Sequence, residues 1–159
     1  MSVFERTSRS CDLAGMAPAL REALATWAAE SGDPQALDDA LACCETTSLR
    51  RGAAGIYGRM ASLPTEVVTG AVLTGGRLVW ATLADDRPAE VAAVRLSGAT
   101  VVDYRESTDY RRMIDTGLQL GGGTDDDGGE GTLFLGLGDD VDGRAFLEAV
   151  LEAWRTASR

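Results

Sequence analysis

Apolar and polar residues alternate along the middle of the chain with the short period that β-strands show. Four runs rich in valine, leucine and alanine follow one another, at 66–74, 77–83, 90–96 and 100–105. They are separated by a Gly-Gly pair, an Asp-Asp-Arg-Pro stretch and a Ser-Gly pair, which are typical of turns. The pattern therefore predicts consecutive antiparallel strands joined by tight turns.

The Gly-Gly pair, Gly75-Gly76, lies between the first two runs, where glycine can adopt the positive φ angles of hairpin turns. A phosphate-binding glycine loop would open a helix instead. A Leu-Val-Trp run follows this pair and favours a strand. We therefore predict a hairpin, with Gly70 as a candidate bulge in its first strand.

A C-terminal helix is predicted after Asp142, which we expect to be its N-cap. One face of that helix is apolar and holds Phe146, Leu147, Val150, Leu151 and Trp154. Short strands are expected at 117–121 and 132–137, and a marginal one at 54–58. The fold class predicted for residues 52–159 is α+β, with six or seven antiparallel strands capped by a C-terminal amphipathic helix.

The N-terminal third shows helical spacing instead. Residues 1–15 are expected to be loosely ordered, and residues 16–48 are predicted to form a helical hairpin. Its first helix covers 16–30, and its second begins at Asp33-Pro34, because a cap residue followed by proline is a helix start.

The apolar stripe of the first helix consists of Leu20, Leu24 and Trp27. A stripe of this kind needs a covering surface, either the rest of the chain or another molecule. A self-complementary dimer through these three residues is the form we expect, because two-fold dimers are the commonest oligomers.

Composition narrows the classes of function. The chain has 159 residues, 45% of them hydrophobic, and a net charge of −10, with 15 arginines but no lysine or histidine. An acidic chain repels phosphate backbones and anionic headgroups, so nucleic-acid binding is not expected and anionic lipid is disfavoured. Without histidine, Ser–His and Cys–His nucleophile pairs are excluded. No membrane-spanning run and no signal peptide are apparent, so a cytoplasmic location is expected.

The cysteines Cys11, Cys43 and Cys44 do not have the spacing of a zinc site. The last two fall in the predicted second helix, where we interpret them as small buried apolar residues in a reducing compartment. A redox pair that involves Cys11 is the alternative.

No cofactor, metal or catalytic residue is predicted. The acidic stretches 124–130 and 139–142 lack the spacing of a calcium loop, and a solvated loop and a helix cap are the simpler interpretations. The Gly-x-Gly at 136–138 has no third glycine, and the helix that follows it is the last element, so it is not a dinucleotide fingerprint.

A family resemblance rests on the hairpin. Val72-Leu73-Thr74 followed by Arg77-Leu78-Val79-Trp80, together with Val94-Arg95-Leu96-Ser97, resemble strands of the pleckstrin-homology-like domains, including their bacterial branch and the GRAM domain. The resemblance covers residues 52–157 and implies a sheet or barrel closed by the final helix. It also implies binding of phosphoinositides near the first hairpin loop, or of peptides along a sheet edge. Near that loop this sequence offers only Arg77, which disfavours lipid.

These observations together predict a non-catalytic protein- or peptide-binding or scaffold module that associates with itself. The candidate binding residues are Leu20, Leu24, Trp27, Arg77, Trp80 and Tyr104, although a core position is the simpler interpretation for Trp80. A peripheral membrane-surface adaptor is the first alternative. A small enzyme with carboxylate or tyrosine acid–base chemistry is the second.

Overall fold

The computed structural model describes residues 2–51, 63–124 and 131–159, and consists of one antiparallel sheet with two α-helices. The strands are β1 (Phe4–Cys11), β2 (Ala42–Arg50), β3 (Glu66–Leu73), β4 (Arg77–Ala84), β5 (Glu90–Asp103), β6 (Gly117–Thr124) and β7 (Thr132–Gly136). The helices are α1 (Pro18–Glu30), between β1 and β2, and α2 (Val141–Ala157), after β7. Each strand pairs with its neighbour in sequence, and the sheet curls into a half-barrel. The predicted α+β class, antiparallel sheet and C-terminal helix are confirmed.

The two helices pack on opposite faces of this sheet. Successive side chains of a strand point to opposite faces, so Val79 packs with α1 whereas its neighbours Leu78 and Trp80 pack with α2. From α1, Leu20 and Leu24 are fully buried against the first face. The continuous apolar run of β4 is therefore explained by burial of both faces.

The predicted helical hairpin is wrong in its second half. Residues 34–39 form turns, and the segment that contains Cys43 and Cys44 is strand β2. Strand β2 is paired on both sides, with β1 and with β3. That pairing satisfies its backbone groups and outweighs the helical spacing of its apolar residues. A helix with this spacing would bury Leu41 together with Leu37 and Cys44, but Leu41 is 66% exposed.

Two further expectations change at the N-terminus and in the middle of the chain. Residues 4–11, expected to be loosely ordered, form β1. The runs 90–96 and 100–105 are mostly one long strand, β5, with a register irregularity between Val94 and Ala99 where a turn was expected. The marginal strand at 54–58 lies outside the described residues, as do residues 125–130 of the first acidic stretch.

The predicted hairpin is confirmed as β3 and β4. Its turn is closed by Thr74, whose backbone amide donates to the Arg77 carbonyl at 2.9 Å. The two glycines of the turn do not use positive φ angles, which occur among the described glycines at Gly32, Gly117 and Gly122.

Gly70 has a packing role and is not a bulge. It keeps the regular register, opposite Glu45 on β2 and Ala81 on β4. A Cβ atom at this position would lie 2.9 Å from the Met16 sulfur and 3.2 Å from Leu20 Cδ1. The missing side chain therefore lets α1 lie close to the sheet.

The outer edge of β1 is covered by carboxylates from the start of α2. The Ser8 amide donates to Asp140 Oδ2 at 2.8 Å, and the Ser10 amide donates to Asp142 Oδ2 at 3.0 Å. Asp140 Oδ1 also accepts from the Gly143 amide at 2.9 Å, so Asp140 is the N-cap of α2. The cap predicted at Asp142 is therefore wrong, because that carboxylate is bound to the strand edge.

A buried ion pair joins β1 to the segment before β6. Arg6 donates to both Asp115 oxygens, at 2.9 and 2.8 Å, and to Ser48 Oγ at 2.6 Å. The guanidinium lies 5.1 Å from the Phe4 ring centre and 5.4 Å from that of Phe134. We call Arg6, Asp115, Asp140 and Asp142 the β1 clasp.

Glycine at position 136 makes room for this ion pair. A Cβ atom there would collide with the Arg6 guanidinium. A side chain on β7 at this point would therefore push Arg6 away from Asp115.

Removal of the Asp115 carboxylate would leave the Arg6 guanidinium buried without its counter-charge. We predict that Asp115→Ala lowers the free energy of unfolding by about 3–5 kcal/mol. The control Asp139→Ala, which removes a carboxylate that is 57% exposed, should lower it by less than about 1 kcal/mol. Urea denaturation followed by circular dichroism measures both. Equal losses would contradict a stabilising role for the clasp.

Candidate functional site

The structure places most of the predicted binding residues in the core. Leu20 and Leu24 are 0% exposed beneath α1, and Trp80 and Tyr104 are 5% and 7% exposed. These four side chains pack inside the chain. Of the apolar stripe predicted on the first helix, only Trp27 is half-buried and reaches a surface.

Tyr104 has an aromatic environment. Its ring makes edge-to-face contacts with Phe134, at 5.1 Å between ring centres, and with Tyr110, at 6.2 Å. Burial, with the negative charges of Asp109 and Asp115, raises the pKa of the Tyr104 hydroxyl. A phenol in this state remains protonated at neutral pH.

Arg77 begins strand β4 and is half-buried. It lies directly opposite Arg95 of β5 in the strand register. Trp27 lies near Leu83, at the other end of β4 from Arg77, so the predicted residues do not form one site.

A groove lies between α1 and the adjoining ends of β4 and β5, and we call it the α1 groove. It is an open surface groove with a volume of about 650 Å³. The side chains that line it are mainly small or apolar, with two carboxylates: Ala19, Glu22, Ala23, Thr26, Trp27, Glu30, Leu83, Pro88, Ala89 and Val91. Trp27 is the predicted site residue that belongs to it.

Helical spacing explains why the groove is open. Ala19, Ala23 and Trp27 are four residues apart and lie on one side of α1. The two alanines are too small to close the gap between helix and sheet. Pro88 and Ala89, in the connection between β4 and β5, also line the groove. In the sequence, the signal for this groove is a pair of alanines at helical spacing followed, one turn later, by a tryptophan.

The rim of the α1 groove is acidic. Glu22 and Glu30 are exposed on α1, and none of the ten lining residues is basic. In the segment that leads to Pro88, Asp86 and Arg87 are exposed and carry opposite charges. The groove thus combines half-buried apolar side chains with exposed carboxylates, which favours a ligand with apolar groups and positive charge.

The second acidic stretch, 139–142, is occupied by contacts within the chain. Asp139 lies 3.1 Å from Arg144 Nε and 3.4 Å from Arg105 Nη1, while Asp140 and Asp142 belong to the β1 clasp. The cleft beside this ion-pair cluster holds only about 10 Å³. Across the residues that the structure describes, no group of three metal-ligating side chains could hold an ion.

No family model, curated protein or solved structure matches the chain. Among the described helices, none combines the length and apolarity that crossing a bilayer requires.

The different placements of Leu24 and Trp27 predict different costs of truncation. Leu24→Ala should lower the free energy of unfolding by about 2–5 kcal/mol, because it leaves a cavity in the core. Trp27→Ala should cost less, about 1–2 kcal/mol, because its side chain is already partly exposed to solvent. Urea unfolding curves compare the two variants. A larger loss for Trp27→Ala would place Trp27 in the core and not at the groove.

Proposed function

We propose that the protein is a non-catalytic binding module, and that its α1 groove takes an apolar, arginine- or lysine-bearing segment of a partner protein. The observation that carries this proposal is that half-buried apolar side chains and exposed carboxylates line the same groove, with no basic residue among them. An amphipathic helix laid into a groove is a common mode of peptide recognition, and its apolar anchors repeat at helical spacing.

Hydrophobic contact supplies the attraction at the floor. Trp27, Leu83 and Val91 are each half-buried in the free protein, so a ligand would remove their remaining surface from water. Tryptophan is enriched among the residues that dominate binding energy at interfaces. Trp27 is therefore the anchor that we expect to contribute most.

Charge supplies selectivity. Glu22 and Glu30 would face basic side chains of the ligand at the rim, where such pairs mainly govern specificity and association rate. The net charge of −10 adds a long-range attraction for basic partners.

The groove is favoured over peptide addition to the edge of β1. The Ser8 and Ser10 amides on that edge already donate to Asp140 and Asp142. A peptide strand would have to displace both carboxylates, and Asp140 would no longer hold β1 and cap α2 at once. The resemblance to pleckstrin-homology-like domains covers residues 52–157 and does not favour that edge, because β1 lies outside those residues.

One observation favours a second candidate, peripheral attachment to an anionic membrane. The loop before β6 exposes Met113 (59%) and Ile114 (43%) directly after Arg111 and Arg112. An exposed apolar pair beside two cations suits a lipid interface. The net charge of the chain opposes this attachment, so it ranks second.

The proposal is tested with an 18-residue amphipathic peptide of leucine and lysine, titrated by isothermal calorimetry. The same peptide with glutamate in place of lysine should not bind, because the groove rim repels it. We predict that Glu22→Lys/Glu30→Lys weakens binding of the lysine peptide by about tenfold or more, and that Trp27→Ala does the same.

The matched control is Glu148→Lys/Glu152→Lys, which changes the net charge equally on the exposed face of α2. Equal weakening by the two double variants would show that only net charge matters and would overturn the groove assignment. Absence of binding by wild type would overturn it as well. Binding to anionic vesicles that Met113→Ser/Ile114→Ser abolishes would instead support the membrane adaptor.

Sedimentation equilibrium on the same samples tests the predicted self-association. A mass that stays at one chain is expected if the occupant of the groove is a different protein. A concentration-dependent dimer that Trp27→Ala dissociates would make a second copy the occupant and overturn the assignment to a foreign partner.

A further inference from the structure

Two cysteines far apart in sequence face each other across the first strand pair. Cys11, the last residue of β1, lies directly opposite Cys43 of β2 in the register of the sheet. Directly opposed residues of antiparallel strands have Cα atoms about 4.5–5.5 Å apart. Disulfides span Cα separations of about 4.4–6.8 Å.

The side chains of this pair also share one face of the sheet. Cys43 belongs to the core cluster beneath α1, and Cys11 packs against the same cluster. Cys44 belongs to the cluster on the other face, beneath α2. The alternation of side chains along the strand therefore makes Cys43 the partner of Cys11 and excludes Cys44.

The two thiols differ in exposure. Cys11 is half-buried, whereas Cys43 is only 7% exposed. Burial raises the pKa of the Cys43 thiol to about 11, and it raises that of Cys11 as well, against the opposing charge of Arg9. Cys11 is thus the thiol that an external reagent reaches first, and both thiols react slowly at neutral pH.

We propose that Cys11 and Cys43 form a redox site, in which a small-molecule disulfide converts the two thiols to a cross-strand disulfide. The Cys11 thiolate attacks the reagent, forms a mixed disulfide and releases one thiol. The Cys43 thiolate then attacks the Cys11 sulfur and releases the second thiol. Two protein thiols are oxidised, and one external disulfide is reduced to two thiols. In a reducing compartment the pair returns to the free thiols seen in the structure.

The cross-link would close the loop of residues 12–42, which contains all of α1. One wall of the α1 groove belongs to that helix, so oxidation would restrain the wall and tie edge strand β1 to β2. Covalent closure of a loop of this length stabilises the folded state by restricting the unfolded chain. The inference rests on the strand register and does not depend on the proposed function.

The test treats the reduced, folded full chain with oxidised glutathione, followed by trypsin digestion and mass spectrometry without reduction. Trypsin separates Cys11, in residues 10–21, from Cys43 and Cys44, both in residues 22–50. We expect these two peptides to be linked in wild type and in Cys44→Ser, each linkage with the loss of two hydrogens. In Cys43→Ser we expect Cys11 to retain glutathione as a mixed disulfide.

Thermal unfolding supplies a second readout. Oxidised wild type and oxidised Cys44→Ser should melt roughly 5–15 °C above their reduced forms, whereas Cys43→Ser should not. Linked peptides in Cys43→Ser would show that Cys44 is the partner. Absence of linked peptides in Cys44→Ser, once Cys11 has taken up glutathione, would overturn the proposal.

Discussion

The two ends of the sheet are held together by side chains, and the rest of the structure depends on that closure. A seven-stranded meander has an edge strand at each end, and the amides of an edge strand need partners. In β1 the Ser8 and Ser10 amides find them in Asp140 and Asp142, and the buried Arg6–Asp115 pair ties the same strand to the segment before β6. Each of these polar groups is costly to bury alone and acceptable only with its partners in place. The β1 clasp therefore selects one curvature of the sheet.

This closure determines which face of the sheet each helix covers. Because Asp140 both caps α2 and binds β1, the apolar stripe of α2 is directed into the concave face, where Phe146 and Val150 are buried. Helix α1 is left to the opposite face and covers it only in part. Its large residues Leu20 and Leu24 seal the sheet, whereas its alanines leave the α1 groove open. The α1 groove therefore exists because α1 covers its face of the sheet incompletely.

The elements that could be predicted from sequence are those whose local pattern agrees with their environment. The β3–β4 hairpin combines β-branched runs with a glycine turn, and α2 combines a cap with an uninterrupted apolar stripe. The apolar residues of β2 also fit a helical spacing, and its pairing with β1 and β3 is not visible locally, so the sequence wrongly predicts a helix there. Strand β1 was missed because an edge strand needs few apolar residues, and most of its residues are polar.

The predicted binding residues show the same limit of local sequence patterns. The stripe of Leu20, Leu24 and Trp27 was identified correctly as apolar, but periodicity does not say whether the sheet or a second molecule covers it. The sheet covers the leucines, and only Trp27 remains at a groove. The acidic rim could not be predicted, since only tertiary packing brings Glu22 and Glu30 of α1 beside Leu83 and Val91 of the sheet.

The most direct measurement of the closure is amide-resolved hydrogen exchange by NMR on the wild-type chain. If Asp140 and Asp142 hold the edge of β1, the Ser8 and Ser10 amides should exchange at least about 100-fold more slowly than in an unstructured peptide. In Asp140→Ala the Ser8 amide should lose that protection, while the amides of β3 and β4 keep theirs. Exchange of Ser8 and Ser10 at unstructured rates in the wild type would contradict the account, because β1 would then be an open edge.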